Sequence, residues 1–508
     1  MSQSSTYLND MAEPLNPQRI DKLGIYGLIR PAEVDDALIP DGAVTEAVNV
    51  HFDRKGAVTV RPGMTGLGST IIAGSPVFGL HNVQQSTAMA VISNGSTSAI
   101  YSYGTSSAAN AWAMTLDGGT NSVRIRFVDF GSYTIALNFM YNTYTSMRFW
   151  DGGTRGGWQF TGRPINPHNM WGYANQLGEV YKSRIYLGGD TSREGNKSRL
   201  YFSSVISSTG IITWSPTVDY VDINPGDGEG MTGLKRFSLE LLVFKPNYIY
   251  RFRTSGVDPD PLIKIGTRSQ ESIVEGKRGL YFHHDSGFYR YTGGYPTEIS
   301  RAINDIVEAI PYSKFSTIEG WSDNDHVYWS VGNLTVSETQ QSVTVKNAVL
   351  RYTESSDIWT VYSNASDVRA GMTFNNGTSV SRVVGLDNGV VATHNSGTTD
   401  LGEPIKFRMR TKWLPMGTEA ERKIINELVA ICEKAQASVL MYQVDEATEW
   451  LTFKQNGGTL RGMLNYWDKL DVRFNRIRFM WTGASRLEAP IFREIQVVKG
   501  INEGIVLK

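Results

Sequence analysis

Lys406, Arg408, Arg410 and Lys412 alternate strictly with Phe407, Met409, Thr411 and Trp413. In an extended strand that spacing puts four cations on one face and a mainly apolar set on the other. Arg473, Arg476 and Arg478 add a second basic run in the same region, with Arg473 out of phase with the other two. Guanidinium forks pair carboxylates with defined geometry, so such ladders suit salt-linked assembly. Three roles are open to them: a solvated face relieved by acids on a neighbouring strand, a subunit contact with an acidic surface, or contact with DNA phosphates. Lys406, Arg408, Arg410, Lys412, Arg476 and Arg478 are therefore the candidate subunit-interface residues.

Other chemistry is sparse. Asp222-x-Asn224 opens like a calcium loop, yet Asp227 stands where the sharp turn needs glycine, and Gly233 stands where a closing glutamate is needed. Gly226-Asp227-Gly228-Glu229-Gly230 lacks the lysine and threonine of a phosphate loop. His283-His284-Asp285 is the densest histidine group, but adjacent strand residues point to opposite faces, so a polar turn is favoured over a metal site. Ser356-Asp357-Ile358-Trp359 approaches the aspartate box of sialidases and lacks its glycine. These residues assign no catalytic set, no cofactor and no metal, and the chain is expected not to be an enzyme.

The elements that must position these residues are mostly strands. A cassette of apolar run, polar turn and aromatic-rich run recurs, as in Arg184–Gly188 with Arg199–Phe202 and Leu280–His284 with Phe288–Tyr291. About seven cassettes start near Val77, Val123, Val180, Leu234, Ile273, Ile318 and Val368, the spacing expected of β-propeller blades. Tyr352 and Trp359 are placed as inter-blade packing in a kelch-like blade end. Val48–Phe52 and Ala57–Gly63, around Asp53–Gly56, predict a hairpin. Ile299, Ile303, Ile306, Val307 and Ile310 share one helical face, predicting a helix from Thr297 to Pro311. Thr418-Glu419-Ala420-Glu421 reads as a capping box opening a second helix that buries Ile424, Leu428, Ile431, Cys432 and Ala435. Strands are predicted at Ile405–Trp413, Ser438–Val444, Trp450–Phe453, Asp471–Met480 and Ile491–Val498. The expected organisation is an arm and hairpin over 1–70, a mainly β, about seven-bladed irregular propeller over 71–400, and an α+β or sandwich-like assembly domain over 401–508.

Bulk composition agrees. Among 508 residues, 49 basic side chains balance 50 acidic ones, so no global field draws the chain to nucleic acid or membrane. The single cysteine, Cys432, rules out an intrachain disulfide framework and suits folding in a reducing cytosol. The first residues lack the layout of a signal peptide, and no apolar run reaches bilayer-spanning length.

Three stretches resemble the short-tail hub, or nozzle, proteins of podovirus-type bacteriophages. They are Ile39–Val50 with Gly56 and Arg61-Pro62-Gly63; Trp214–Ile223 through Gly226-Asp227-Gly228 and Thr232-Gly233-Leu234 to Leu241–Lys245 and Ile249-Tyr250; and Gly293-Gly294 with Ile299-Ser300 and the helix to Ile310. The resemblance implies a β-propeller subunit, a homohexamer beneath portal and adaptor proteins, with tail fibre or spike proteins as neighbours. It implies a virion tail component, assembled in the host bacterial cytoplasm, that retains packaged double-stranded DNA, lets it pass non-specifically and does not insert into membranes. The channel is expected to be acidic or neutral, since each neutralised phosphate would add affinity. The rival expectation is a carbohydrate-binding or glycan-hydrolysing propeller that recognises a host surface.

Overall fold

A computed structural model describes residues 13–15, 18–30, 38–53, 55–83, 87–93, 98–103, 111–116, 124–131, 133–141, 144–150, 175–191, 196–205, 212–252, 260–337, 342–434, 438–445, 447–455 and 463–505. Antiparallel sheets follow one another along the chain, and their first strands start at Val77, Arg126, Leu177, Gly233, Val274, Glu319 and Val368. Those positions track the seven cassettes. Five sheets have four strands of their own; the second shows three among the described residues, and the seventh takes its fourth strand from elsewhere. First strands pack together between most consecutive blades, Phe244 of blade 4 meets Phe282 of blade 5, and Val368–Asn375 of blade 7 packs on Val77–Val83 of blade 1, so the sheets form a closed ring. The protein is a seven-bladed β-propeller.

The ring closes through the N-terminal part of the chain. Met64–Gly66 pairs antiparallel with Val391–His394 as the outer strand of blade 7. Gly63 makes this possible: a Cβ there would lie 1.9 Å from the Thr399 carbonyl oxygen. Arg61 anchors the segment from a position 1% exposed. Its guanidinium donates to both oxygens of Asp400 (2.9 and 2.5 Å), to Asn49 Oδ1 (2.7 Å) and to Asn364 Oδ1 (3.0 Å). Such forked, charge-assisted bonds combine strength with a fixed geometry.

The aromatic cassettes pack blade against blade. Tyr352 pairs across strands with Trp359, their rings 5.0 Å apart, and Phe288 and Tyr281 of blade 5 meet Trp359 and Tyr352 at 5.6 and 5.8 Å. Trp214, Trp329, Trp359 and Trp481 are each buried almost completely.

The rest of the chain braids both ends together. The predicted hairpin is present, with Val50–Phe52 on Val58–Val60. Ile491–Ile505 pairs with Val58–Val60, with Glu13–Pro14 and Gln18–Ile20, and with Glu421–Glu433, which pairs in turn with Met463–Phe474. A second sheet runs from Val44–Val48 through Glu403–Thr411 and Ile477–Ser485 to Ser438–Val444 and Leu451–Gln455. Phe407, Trp481 and Phe492 pack as tilted rings where the two sheets meet, centroids 4.5 and 5.4 Å apart. The C-terminal region is thus sandwich-like, and it shares its sheets with the N-terminal strands.

Both helix expectations need correction. Glu421–Glu433 is a strand, not the helix its capping box predicted; Thr418 and Glu421 only close a turn before it. Ala435, also assigned to that helix, lies outside the described residues. The helix near 300 shrinks to a 3-10 turn, Arg301–Ile303, and Asn304–Glu308, because Thr297–Glu298 pairs as a strand with Tyr289 and Arg290. Its apolar face is as expected, with Ile303, Ile306, Val307 and Ile310 buried. The single strand expected over 471–480 is broken at Asn475 and Arg476, where Met463–Phe474 ends and Ile477–Ser485 begins.

Candidate functional site

The basic ladder lies on Glu403–Thr411, and the two halves of its basic face differ. Lys406 and Arg408 are exposed, whereas Arg410 and Lys412 are 4% and 6% exposed. Acids of the N-terminal arm account for the difference. Glu46, in register with Arg410, lies 3.2 Å from Arg408 and 3.9 Å from Arg410. Lys412 Nζ meets Asp41 at 2.8 Å and donates to the Ile39 carbonyl at 2.6 Å. An acid on the neighbouring strand thus serves Arg408 and Arg410, an exposed acid in the turn before that strand serves Lys412, and Arg410 and Lys412 are enclosed within the chain. Arg476 and Arg478 flank Trp413, their guanidinium carbons 4.9 and 4.3 Å from its ring, and Arg478 also donates to Gln443 at 2.7 Å. Each such stack contributes about 0.5–2 kcal/mol. Arg473 pairs with Glu503 at 3.3 Å.

The calcium-like loop holds a cation of the chain itself. The Lys245 ammonium, completely buried, lies 2.7 Å from both Asp227 carboxylate oxygens, 3.0 Å from the Asn224 carbonyl and 3.1 Å from Ser198 Oγ. Asn224 adopts φ 40° so that its carbonyl reaches the ammonium. Against the cost of burial, Lys245 holds the Asp227 carboxyl below the usual range. Asp222 pairs instead with Arg199, at 2.8 and 3.0 Å.

His283 and His284 point to opposite faces, as expected. His283 is buried against Phe288 and Phe315, ring centroids 5.0 and 4.7 Å away, and burial pushes its imidazole down to about 3. His284 turns to Ser286, and Asp285 takes a forked pair from Arg268. Asp357 accepts a hydrogen bond from Tyr352 within its turn.

Two arrangements had no sequence signal, because their members are far apart in the chain. The first fills the middle of the ring. Arg126, opening blade 2, donates to Glu271 at 2.5 and 3.1 Å, and Arg124 bridges Glu271 (3.2 Å) and Glu319 of blade 6. Glu319 also accepts from the Gly371 N–H of blade 7, at 3.1 Å. Blade 2 is not a neighbour of blades 5 and 6 in the ring, so these pairs cross its centre. Burial and the nearby Glu271 raise the Glu319 carboxyl, while Arg124 and Arg126 hold Glu271 low against its own burial. Beside the cluster is a cavity of about 360 Å³, lined by Arg126, Gln176, Asp190, Lys197 and Gln270 among others. The second arrangement joins blades 6 and 7 to the hairpin through His51, Tyr328, Tyr362, His394 and Arg351.

In class, then, the chain is a seven-bladed propeller with a salt-bridged centre and a two-sheet flank. No family model matches it, and no curated protein does. Among solved structures it is similar to selenomethionine-substituted virginiamycin B lyase from Staphylococcus aureus, at 12% identity and TM-score 0.41, covering 65% of this chain and 98% of that one. It is also similar to the Pan2 WD40 domain of Neurospora crassa, at 8% identity and TM-score 0.37, covering 68% and 96%.

Proposed function

We propose that this chain is a wall-forming subunit of a closed ring, the tail hub or nozzle of a short-tailed bacteriophage. In such a ring double-stranded DNA passes between subunits and is retained until ejection. The observation that carries the reading is the salt-bridged centre of the propeller. Arg124, Arg126, Glu271 and Glu319 link blades across it, so a duplex path must lie outside any one propeller. The near-zero net charge also suits a wall past which phosphates slide.

The residues carrying the family resemblance support a structural role. Arg61 and Gly63 close the ring, Asp227 clamps Lys245, and Ile303 and Ile306 fill the core. The glycan-recognising alternative gains less support, because among the described residues those lining this cavity include no aromatic ring on which a sugar could stack. Lys406 and Arg408 remain exposed for a neighbouring subunit.

Light scattering and negative-stain microscopy of the purified full chain test the proposal. A closed ring with an opening wide enough for B-DNA (about 20 Å) is expected, since head-to-tail contacts close into rings. A persistent monomer that binds or cleaves a glycan would refute it.

A further inference from the structure

Away from the ring centre, the N-terminal arm and the end of the basic strand border an open cavity of about 810 Å³. Three stretches contribute to its walls: 19–26, 41–42 and 412–419. Small-ligand sites typically measure about 300–1,000 Å³, so the space suits an organic molecule.

Each wall is fixed from within the chain. Lys412 joins the second wall to the third, reaching Asp41 at 2.8 Å and the Ile39 carbonyl at 2.6 Å. Arg476 and Arg478 brace Trp413, and Asn475 donates to the Glu419 carbonyl at 2.9 Å. Gly42, at φ 85°, lies close to the first wall, where a Cβ would come within 3.0 Å of the Lys22 carbonyl oxygen. Walls held in this way lose little freedom when a ligand enters.

Three side chains of the lining are left over. Tyr26 is 54% exposed, and Lys22 and Glu419 are exposed as well. Among the described residues, none of these three side chains makes a hydrogen bond or an ion pair.

The chemistry of the lining narrows the ligand. Arg19, Lys22 and Lys412 are matched by Asp21, Asp41 and Glu419, so the lining charges cancel and favour a neutral molecule. Beside them, Ile25, Tyr26, Trp413 and Leu414 offer apolar and aromatic surface. A molecule with apolar ring faces and many hydroxyls satisfies both sets. A peptide fits less well: Lys22, Gly42 and Met416 hold left-handed turns here, whereas an added peptide strand needs an open sheet edge.

We propose that this cavity binds a neutral oligosaccharide, stacked on the Tyr26 ring and hydrogen-bonded by Lys22 and Glu419. The site lies outside the salt-bridged centre and does not depend on the wall-forming role.

The test is an array of neutral and acidic oligosaccharides probed with the fluorescently labelled full chain, with light scattering on the same material. Binding to neutral glycans is expected. Tyr26→Ala should weaken it about tenfold, and Glu419→Ala about fivefold. Both side chains are exposed, so both variants should melt close to wild type; should one fail to fold, the other decides. No binding anywhere on the array overturns the proposal, as does a preference for acidic glycans. Neutral-glycan binding untouched in the folded variants overturns it too. A wild-type chain that stays monomeric yet binds through Tyr26 would refute the wall-forming role and leave this site standing.

Discussion

Replacing His283 with phenylalanine should make the propeller less sensitive to acid. The His283 imidazole is 1% exposed, faces Phe288 and Phe315, and has no partner at either ring nitrogen. Burial lowers its pKa to about 3, against about 6.5 for an unfolded histidine. The sign follows from proton binding: below pH 6.5 the unfolded chain takes up a proton that the folded chain refuses, so stability falls with pH until the folded value is reached. At pH 5 the difference amounts to about 2 kcal/mol, at about 1.4 kcal/mol per unit. His283→Phe removes the titration, so its unfolding free energy should fall about 2 kcal/mol less than wild type between pH 7 and pH 5. At pH 7 the variant should be neutral to about 1 kcal/mol more stable, because unpaired buried nitrogens are replaced by carbon. Denaturant unfolding followed by tryptophan fluorescence reports on the right place, since Trp329 lies 4.6 Å from Phe288. His283→Gln separates titration from packing: it should lose stability at pH 7 yet share the reduced acid sensitivity. If both variants keep the wild-type pH dependence, the argument from burial is wrong.

Other perturbations probe the remaining joints. Lys245→Met takes the cation from the partly buried Asp227, which keeps the Glu229 N–H and the Tyr250 hydroxyl, and should cost about 1–3 kcal/mol, while adding Asp227→Asn should recover part of it; thermal denaturation of both variants checks this. Gly63→Ala forces the chain away from Thr399, so hydrogen exchange should show Val391–His394 losing protection while blades 3 and 4 keep theirs. Lys406→Glu should shift the assembled ring toward monomer in light scattering while lowering the unfolding free energy by no more than about 1 kcal/mol. Unchanged assembly in that variant would remove Lys406 from the subunit contact.

The blades were legible because most second strands are short apolar runs bounded by turn residues, as in Thr87–Ser93, Arg184–Gly188, Glu240–Phe244 and Leu280–His284, and such runs repeat. The strand at Glu421–Glu433 was misread for a specific reason. Its register shifts between Ile425 and Glu427, so its buried positions run Lys423, Ile425, Leu428, Ala430, Cys432. One extra residue in a period-two pattern produces a three-residue step, which imitates a helical face. The β-branched residues Ile424, Ile425, Val429 and Ile431 were the countervailing signal. The polar joints had no local signature at all: Glu46 meets Arg410, and Arg61 meets Asp400, across more than three hundred residues.

That separation bears on what the opening phrase does. Arg61-Pro62-Gly63 is short, carries no catalytic group, and reads locally as little more than the end of a hairpin. In the folded chain Arg61 reaches Asn49 in the hairpin, Asn364 after blade 6 and Asp400 after blade 7, while Gly63 lets the next strand lie against Thr399. The phrase therefore acts as the latch of the ring, and its residues are constrained by three partners at once. A lysine at position 61 could satisfy one of them but lacks the planar fork needed for all three. Arg61→Lys should consequently behave like partial opening of blade 7, with Met64–Gly66 exchanging faster than the strands of blade 4. Equal protection across both blades would place the closing force elsewhere, in the apolar contacts of Met64 with Val384 and Leu386.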